Sequence, residues 1–136
     1  TRFMITLEEA IELVCHAFSN MSGGEIYIKK IPSMNIVDIA KSVSESATHK
    51  IIGIRPGEKI HEQMIGTEDA LFTYEYDSYY KILPAIYDCF KNIEWIGDGK
   101  QVSEDFSYTS NNNIDWMKIS DLKLWIQNHK TIIGKF

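Results

Sequence analysis

The sequence has little cysteine, few basic residues and no long apolar run, and each shortage excludes a class of protein. Two cysteines in 136 residues are too few for a disulfide framework or a four-cysteine zinc site. Fourteen lysines and arginines against nineteen aspartates and glutamates give a formal charge of −5, which disfavours a nonspecific binder of nucleic acid or of anionic membranes. The longest apolar stretch, around 79–90, is interrupted by Lys81, Pro84 and Asp88. It falls short of the roughly 20 residues that a membrane-spanning helix needs, so we predict neither a nucleic-acid nor a membrane partner.

The chain also opens without the basic and apolar pattern of an export leader, which favours a cytoplasmic location. We expect Cys15 and Cys89 to be reduced thiols buried in the core. The chain starts Thr1-Arg2-Phe3, without Met and almost directly before a helical pattern. We interpret this start as a cut through a longer polypeptide.

The apolar spacing predicts an α/β fold of mixed helices and short strands. Thr6-Leu7-Glu8-Glu9 has the pattern of a capping box, so a helix is expected from there to about Asn20. The residues expected to face the core repeat at helical spacing: Leu7, Ala10, Ile11, Val14, Cys15 and Phe18.

Further along, the pattern predicts a strand over 25–29, a short helix over 36–43, a buried strand over 50–54 and strand or hairpin structure over 72–83. Residues 84–113 are expected to be mostly loop, with a turn at 97–99. A last helix is expected to be capped by Ser120 and to turn Leu122, Trp125 and Ile126 inward. The prediction is one domain over residues 1–136, with about 84–136 as a looser tail.

The most specific candidate site is the segment Arg55-Pro56-Gly57-Glu58, where an apolar run ends in a sharp turn. A guanidinium fork grips a pair of phosphate oxygens, and a nearby carboxylate accepts hydrogen bonds from sugar hydroxyls. Arg55 and Glu58 would together suit a phosphorylated sugar or a nucleotide. The alternative is an exposed turn with an Arg–Glu surface pair. Arg2 precedes a capped helix and could share a diphosphate with Arg55, or it could be a frayed terminal residue.

Several catalytic patterns are absent from the sequence. It contains no Gly-rich phosphate loop after a strand, no Gly-x-Ser-x-Gly elbow and no His-Glu-x-x-His motif. The four histidines show no spacing typical of metal ligands. We therefore predict no catalytic residue, no cofactor site and no metal site in this chain.

Several segments, in this order, resemble the C-terminal part of inverting UDP-N-acetylglucosamine 4,6-dehydratases, which open pseudaminic acid biosynthesis in bacteria. The segments are Thr1–Glu9, Gly23–Ile28, Lys30–Met34, Ile51–Glu62 and Asp105–Asn113 with Trp116. These enzymes are extended short-chain dehydrogenase/reductases and are similar in plan to UDP-galactose 4-epimerases. The resemblance covers nearly the whole chain.

The resemblance implies an NADP-dependent lyase in two parts: a Rossmann domain with the cofactor and the catalytic residues, and a smaller part that closes over the UDP-sugar. It matches Arg55 to the diphosphate ligand, Glu58 to the ribose ligand and Arg2 to a second arginine facing the diphosphate. This chain would then be the substrate-binding part, inactive alone, of an enzyme of surface polysaccharide or flagellin glycan biosynthesis. Its expected partners are the UDP-sugar, the missing Rossmann half and further copies of itself in a homo-oligomer.

Two alternatives stay open. The chain could be an assembly module that does not bind nucleotides, or it could be the same part of a UDP-sugar epimerase. Binding of UDP that depends on Arg55 would favour the substrate-binding part over the assembly module.

Overall fold

The computed structural model describes residues 1–86 and 93–129, which divide into two compact units. Unit 1 contains Thr1–Met4, Pro32–Glu62 and the described residues from Ser110 onwards. Unit 2 contains the described residues of Ile5–Ile31 and Gln63–Thr109. The chain mixes helices with antiparallel strands, so the predicted small α/β fold is confirmed at this level.

Unit 1 is built around a pair of short strands and two helices. Strand β1 (Arg2–Phe3) pairs antiparallel with strand β3 (Ser33–Met34), and Ser33 and Met34 are almost fully buried. Helix α2 (Ile36–Val43) begins where the Asn35 side chain accepts a hydrogen bond from the Val37 amide. It packs against helix α4 (Ile119–Asn128), which contributes Leu122 to the core.

Unit 2 contains an antiparallel sheet of four strands in the order β2-β6-β5-β7. These strands are β2 (Ile26–Lys29), β5 (Thr73–Glu75), β6 (Tyr79–Ile82) and β7 (Lys100–Gln101). Strand β4 (Gln63–Ile65) pairs separately with β8 (Tyr108–Thr109), and a 3-10 helix spans Thr67–Phe72. Buried side chains from these elements form the core of the unit: Ile28, Ile65, Tyr74, Tyr80, Ile82 and Tyr108.

Helix α1 (Leu7–Asn20) begins at the predicted capping box. The Thr6 hydroxyl accepts a hydrogen bond from the Glu9 amide, and the Glu9 carboxylate accepts one from the Thr6 amide. The bond from the Thr6 amide is the main reason that the pKa of Glu9 lies below its usual value. The prediction of this helix and its start is therefore confirmed.

Replacing Thr6 by Ala is expected to lower the free energy of unfolding by about 1 kcal/mol, because the Glu9 amide loses its acceptor at the helix start. Urea denaturation followed by circular dichroism measures this loss. Thr48→Ala is the matched control, since Thr48 is exposed and lies outside any helix or strand. Equal stability of the two variants would contradict a stabilising role of the cap.

The predicted inward face of helix α1 is wrong except at Ala10, which is partly covered. Leu7 and Phe18 are 72% and 76% exposed, and Ile11, Val14 and Cys15 are also exposed. The face that is at least partly covered carries Ala10, Leu13, His16 and Ala17. This face packs against strand β2, and the His16 ring lies 5.7 and 4.8 Å from the Tyr27 and Tyr79 rings, so it faces inward although the other face is more apolar. The prediction that Cys15 is buried is wrong for the same reason, and Cys89 lies outside the described residues.

The strand predicted over 50–54 is also wrong. This segment forms no strand, and Ile51 is 96% exposed. A strand needs neighbouring backbone groups to pair with, and none of the described strands pairs with this segment. Consecutive isoleucines therefore did not suffice to bury it.

Three further predictions concern the second half of the chain. The hairpin within 72–83 is confirmed, since β5 and β6 pair directly. The turn at 97–99 is confirmed by the turn residues Gly97 and Asp98, although short elements interrupt the predicted loop: helix α3 (Ile93–Ile96), β7 and β8. Residues 87–92 of that loop lie outside the described residues. Helix α4 follows Lys118, whose amide donates to the Asp121 carboxylate, and is not capped by Ser120. Trp125 is 36% exposed beside His129 instead of buried.

Candidate functional site

The predicted turn at Arg55-Pro56-Gly57-Glu58 is confirmed, and two hydrogen bonds between its first and last residues close it. The Arg55 carbonyl accepts a hydrogen bond from the Glu58 amide at 3.0 Å, and a Glu58 carboxylate oxygen accepts one from the Arg55 amide at 2.9 Å. Gly57 has a φ of +83°, a conformation that L side chains rarely adopt. Glu58 therefore holds the shape of the turn, a role that its sequence position did not reveal.

The Arg55 side chain lies at the surface on this turn. Its guanidinium forms no hydrogen bond or ion pair with the other residues of the described part of the chain. A guanidinium in this position keeps its planar fork of donors available for a carboxylate or a phosphate.

The side chain of Arg2, in contrast, has partners within unit 1. Its guanidinium donates hydrogen bonds to the carbonyls of Thr1, Ile60 and Lys59, at 2.7, 3.1 and 3.3 Å. Its Nε lies 3.5 Å from a carboxylate oxygen of Glu62. Arg2 thus fastens residues 59–62 to strand β1, and its contact with a diphosphate stays a prediction.

A cavity of about 520 Å³ adjoins this turn, entirely within unit 1. It brings together the predicted residues Arg2 and Glu58, whereas Arg55 is not among its lining residues. Its wall combines cationic, polar and apolar groups: Thr1, Arg2, Asn35, Ile36, Ile51, Ile52, Gly53, Ile54, Glu58, Lys59, Ile60 and His61. The exposed isoleucines of the mispredicted strand are therefore part of the wall of this cavity.

Two lining residues, Lys59 and His61, were missed by the reasoning from sequence. Lys59 places an ammonium group on the wall that also carries Glu58, and His61 Nδ1 lies 2.8 Å from the Thr1 hydroxyl. No local pattern marks them, because four consecutive residues, Glu58 to His61, line the cavity.

Glu62 and Ser110 secure the far end of the segment. The Glu62 amide donates to the Ser110 hydroxyl and the Glu62 carbonyl accepts from the Ser110 amide, both at 2.8 Å. The Glu62 carboxylate accepts from the Phe3 amide at 2.7 Å. These bonds tie the end of the segment to Ser110, 48 residues later in the sequence, and to Phe3, 59 residues earlier.

Unit 2 holds a second notable cation, Lys81, whose side chain is buried in strand β6. Its ammonium donates to the Trp95 carbonyl and lies 5.0 Å from the centre of the Tyr76 ring. Burial lowers the pKa of Lys81, while Glu25 and Asp98 act in the opposite direction. On the same strand, burial raises the pKa of Tyr80 to about 12. Lys81 and Tyr80 are each buried by packing and do not form an accessible site.

Within 1–86 and 93–129, no group of three or more His, Cys, Asp or Glu residues is arranged to hold a metal ion. None of the described helices has both the length and the apolar character to cross a bilayer.

With this geometry in place, the comparisons with known proteins identify the family. Residues 1–84 match the family described as polysaccharide biosynthesis protein. The chain belongs to this family. The matched residues include the 55–58 turn and the segment that lines the cavity.

Members of two enzyme classes are similar to the chain. It is 46% identical, over 95% of its length, to the inverting UDP-N-acetylglucosamine 4,6-dehydratase of Campylobacter jejuni, of which it covers 40%. It is 35% identical, over 60% of its length, to the UDP-glucose 4-epimerase of Rickettsia akari, of which it covers 25%. The resemblance to inverting dehydratases is thus confirmed, and the family is one of nucleotide-sugar dehydratases and epimerases.

A solved structure, that of Pen from Bacillus thuringiensis, matches the fold with a TM-score of 0.72 and 25% identity. The match covers 95% of this chain and 37% of that one. The chain therefore spans well under half the length of the relatives to which it is similar.

Proposed function

We propose that this chain is the UDP-sugar-binding part of a C5-inverting UDP-N-acetylglucosamine 4,6-dehydratase of surface polysaccharide or flagellin glycan biosynthesis. The observation that carries the proposal is the Arg55–Glu58 turn beside a cavity of about 520 Å³ lined by Arg2 and Lys59. The 46% identity to the Campylobacter enzyme supports the substrate class.

In this proposal Arg55 contacts the diphosphate of the ligand. Its guanidinium offers parallel donors to two phosphate oxygens, and Lys59 adds a second positive charge on the neighbouring wall. Glu58 accepts hydrogen bonds from ribose hydroxyls with the carboxylate oxygen that does not hold the Arg55 amide. The apolar wall, which includes Ile36 and Ile52, suits the less polar parts of the nucleotide.

Catalysis is assigned to the part of the relatives that this chain does not cover. In a complete enzyme NADP supplies hydride transfer, and the residues described here do not fit the phosphates of that cofactor. Gly23 and Gly24 follow helix α1 and precede strand β2, which is the reverse of the strand-to-helix order of a dinucleotide-binding loop. We therefore expect no turnover by this chain alone.

One observation favours the second candidate, an assembly module that does not bind nucleotides. Helix α1 exposes large apolar side chains, including Leu7 and Phe18, as a surface buried on assembly would. The epimerase alternative concerns the outcome of catalysis, and the same binding of UDP would serve it.

Calorimetric titration of the chain with UDP, UMP and uridine tests the proposal. We expect one molecule of UDP to bind per chain, more tightly than UMP and much more tightly than uridine, because the added phosphates engage Arg55 and Lys59. UDP-N-acetylglucosamine with NADP should give no 4-keto-6-deoxy product. A folded chain that forms oligomers and shows no heat with millimolar UDP would favour the assembly module instead.

A further inference from the structure

Four polar groups of unit 1 form a series of hydrogen bonds that ends at the wall of the cavity. The Glu62 amide donates to the Ser110 hydroxyl at 2.8 Å, and the hydroxyl oxygens of Ser110 and Thr1 lie 2.6 Å apart. The Thr1 hydroxyl in turn lies 2.8 Å from Nδ1 of His61. Thr1 and His61 both line the cavity, so this series, the Ser110–Thr1 relay, connects a buried serine to the proposed UDP site.

The burial of Ser110 decides the direction of these bonds. Its side chain is fully buried, and a buried hydroxyl proton needs an acceptor. Within the described residues the Ser110 hydroxyl has two partners, the Glu62 amide, which only donates, and the Thr1 hydroxyl. Ser110 therefore donates to Thr1. In the arrangement that satisfies every group, Thr1 then donates its own proton to Nδ1 of His61.

This direction determines which ring nitrogen of His61 carries a proton. A neutral imidazole that accepts a hydrogen bond at Nδ1 has its proton on Nε2. Nε2 of His61 has no hydrogen-bond partner among residues 1–86 and 93–129. His61 is exposed and belongs to the lining of the cavity. The relay thus leaves a donor available on a ring that lines the proposed site.

The surroundings of His61 favour an anionic acceptor for this donor. Lys59 lies on the same segment of the wall, and the Arg2 guanidinium donates to the carbonyls of Lys59 and Ile60. The neighbouring carboxylate of Glu62 lies 3.5 Å from Nε of Arg2, so its charge is offset. A neutral N–H donor beside two cations suits the oxygens of a phosphate group.

We propose that His61 donates a hydrogen bond from Nε2 to a phosphate oxygen of bound UDP, and that the Ser110–Thr1 relay orients this donor by holding the Nε2–H tautomer. The identity of the ligand rests on the proposed function, whereas the tautomer of His61 is measurable without any ligand. Because the donor is neutral, its loss should weaken binding by roughly three- to tenfold, less than the loss of a guanidinium.

Two amide substitutions separate the roles of the two ring nitrogens. His61→Gln places an amide N–H near the position of Nε2, whereas His61→Asn places its amide near Nδ1, on the side of Thr1. We expect His61→Asn to weaken the binding of UDP by roughly three- to tenfold and to leave that of uridine unchanged, as NMR titration measures. His61→Gln should bind UDP nearly as tightly as the unmutated chain. His49→Asn is the matched control, because His49 is an exposed histidine of unit 1 outside the cavity lining, and it should bind UDP normally.

The ¹⁵N resonances of the imidazole test the relay in the chain without ligand. At about pH 8, where a histidine is mostly neutral, we expect the Nε2–H tautomer at His61. Thr1→Val removes the hydroxyl but keeps the shape of the side chain. It should produce a mixture of the two tautomers at His61 and weaken the binding of UDP.

The outcomes distinguish this inference from the proposed function. If the unmutated chain binds UDP and His61→Asn binds it as tightly as His49→Asn does, the phosphate contact of His61 is wrong and the proposed function stands. An Nδ1–H tautomer at His61, equal weakening by Gln and Asn, or a loss of uridine binding in His61→Asn would also overturn the inference. A folded, unmutated chain that does not bind UDP would contradict the proposed function and, with it, the contact of His61.

Discussion

Replacing Arg55 by Ala is expected to weaken the binding of UDP to this chain by one to two orders of magnitude. The guanidinium lies on a closed turn and has no partner within the described residues, so little of its interaction with the protein is lost on substitution. A hydrogen bond between charged groups contributes about 1.5–3 kcal/mol, which corresponds to a factor of roughly 10 to 100 in affinity. Calorimetric titration with UDP measures the change.

Conservative variants separate the charge from its geometry. Arg55→Lys should recover only part of the affinity, because an ammonium keeps the charge but loses the planar fork. Glu58→Gln should weaken binding only slightly, since an amide oxygen still accepts from the Arg55 amide and from one hydroxyl. Glu58→Ala should cost about as much as Arg55→Ala, because the turn that positions Arg55 then loses its carboxylate acceptor.

Lys41→Ala is the matched control for Arg55→Ala. It removes one positive charge from the surface of unit 1, on helix α2, outside the cavity lining. We expect its affinity for UDP to stay within a factor of about two of that of the unmutated chain, because salt screens an exposed charge that lies outside the site. If Arg55→Ala and Lys41→Ala bind UDP equally well, the 55–58 turn is structural and the assignment of the site is wrong.

Replacing Ser110 by Ala is expected to lower the free energy of unfolding by about 1–3 kcal/mol. The Ser110 side chain is fully buried, and its hydroxyl accepts the Glu62 amide and lies 2.6 Å from the Thr1 hydroxyl. The substitution leaves the Glu62 amide without this acceptor beside a fully buried side chain. Thermal unfolding should shift down by several degrees for a chain of this size.

Ser103→Ala serves as the control for Ser110→Ala, because it removes the same hydroxyl group from an exposed residue. Its unfolding midpoint should stay within about 1 °C of that of the unmutated chain. A Ser110→Ala chain as stable as the Ser103→Ala chain would show that the bonds around Glu62 do not hold residues 59–62 in place.

The features that local sequence predicted correctly depend on interactions between near neighbours. The Thr6–Glu9 capping box and the Arg55–Glu58 turn each close through residues three positions apart. Their geometry follows from short-range hydrogen bonds and backbone preferences, which are the same in any surroundings. For this reason the predicted site turn was found at the predicted residues.

The sequence by itself thus determined the family, the main helices and the turn that carries Arg55, whereas the tertiary structure decided which surfaces are covered. An apolar periodicity shows that helix α1 has an apolar face, but not that its neighbours lie against Ala10 and Leu13 and leave Leu7 and Phe18 exposed. The isoleucines of 50–54 likewise have the pattern of a buried strand. No described strand pairs with this segment, and its isoleucines lie on the wall of a cavity. Burial and sheet pairing depend on contacts between residues tens of positions apart, such as Glu62 with Ser110, and local patterns do not encode those contacts.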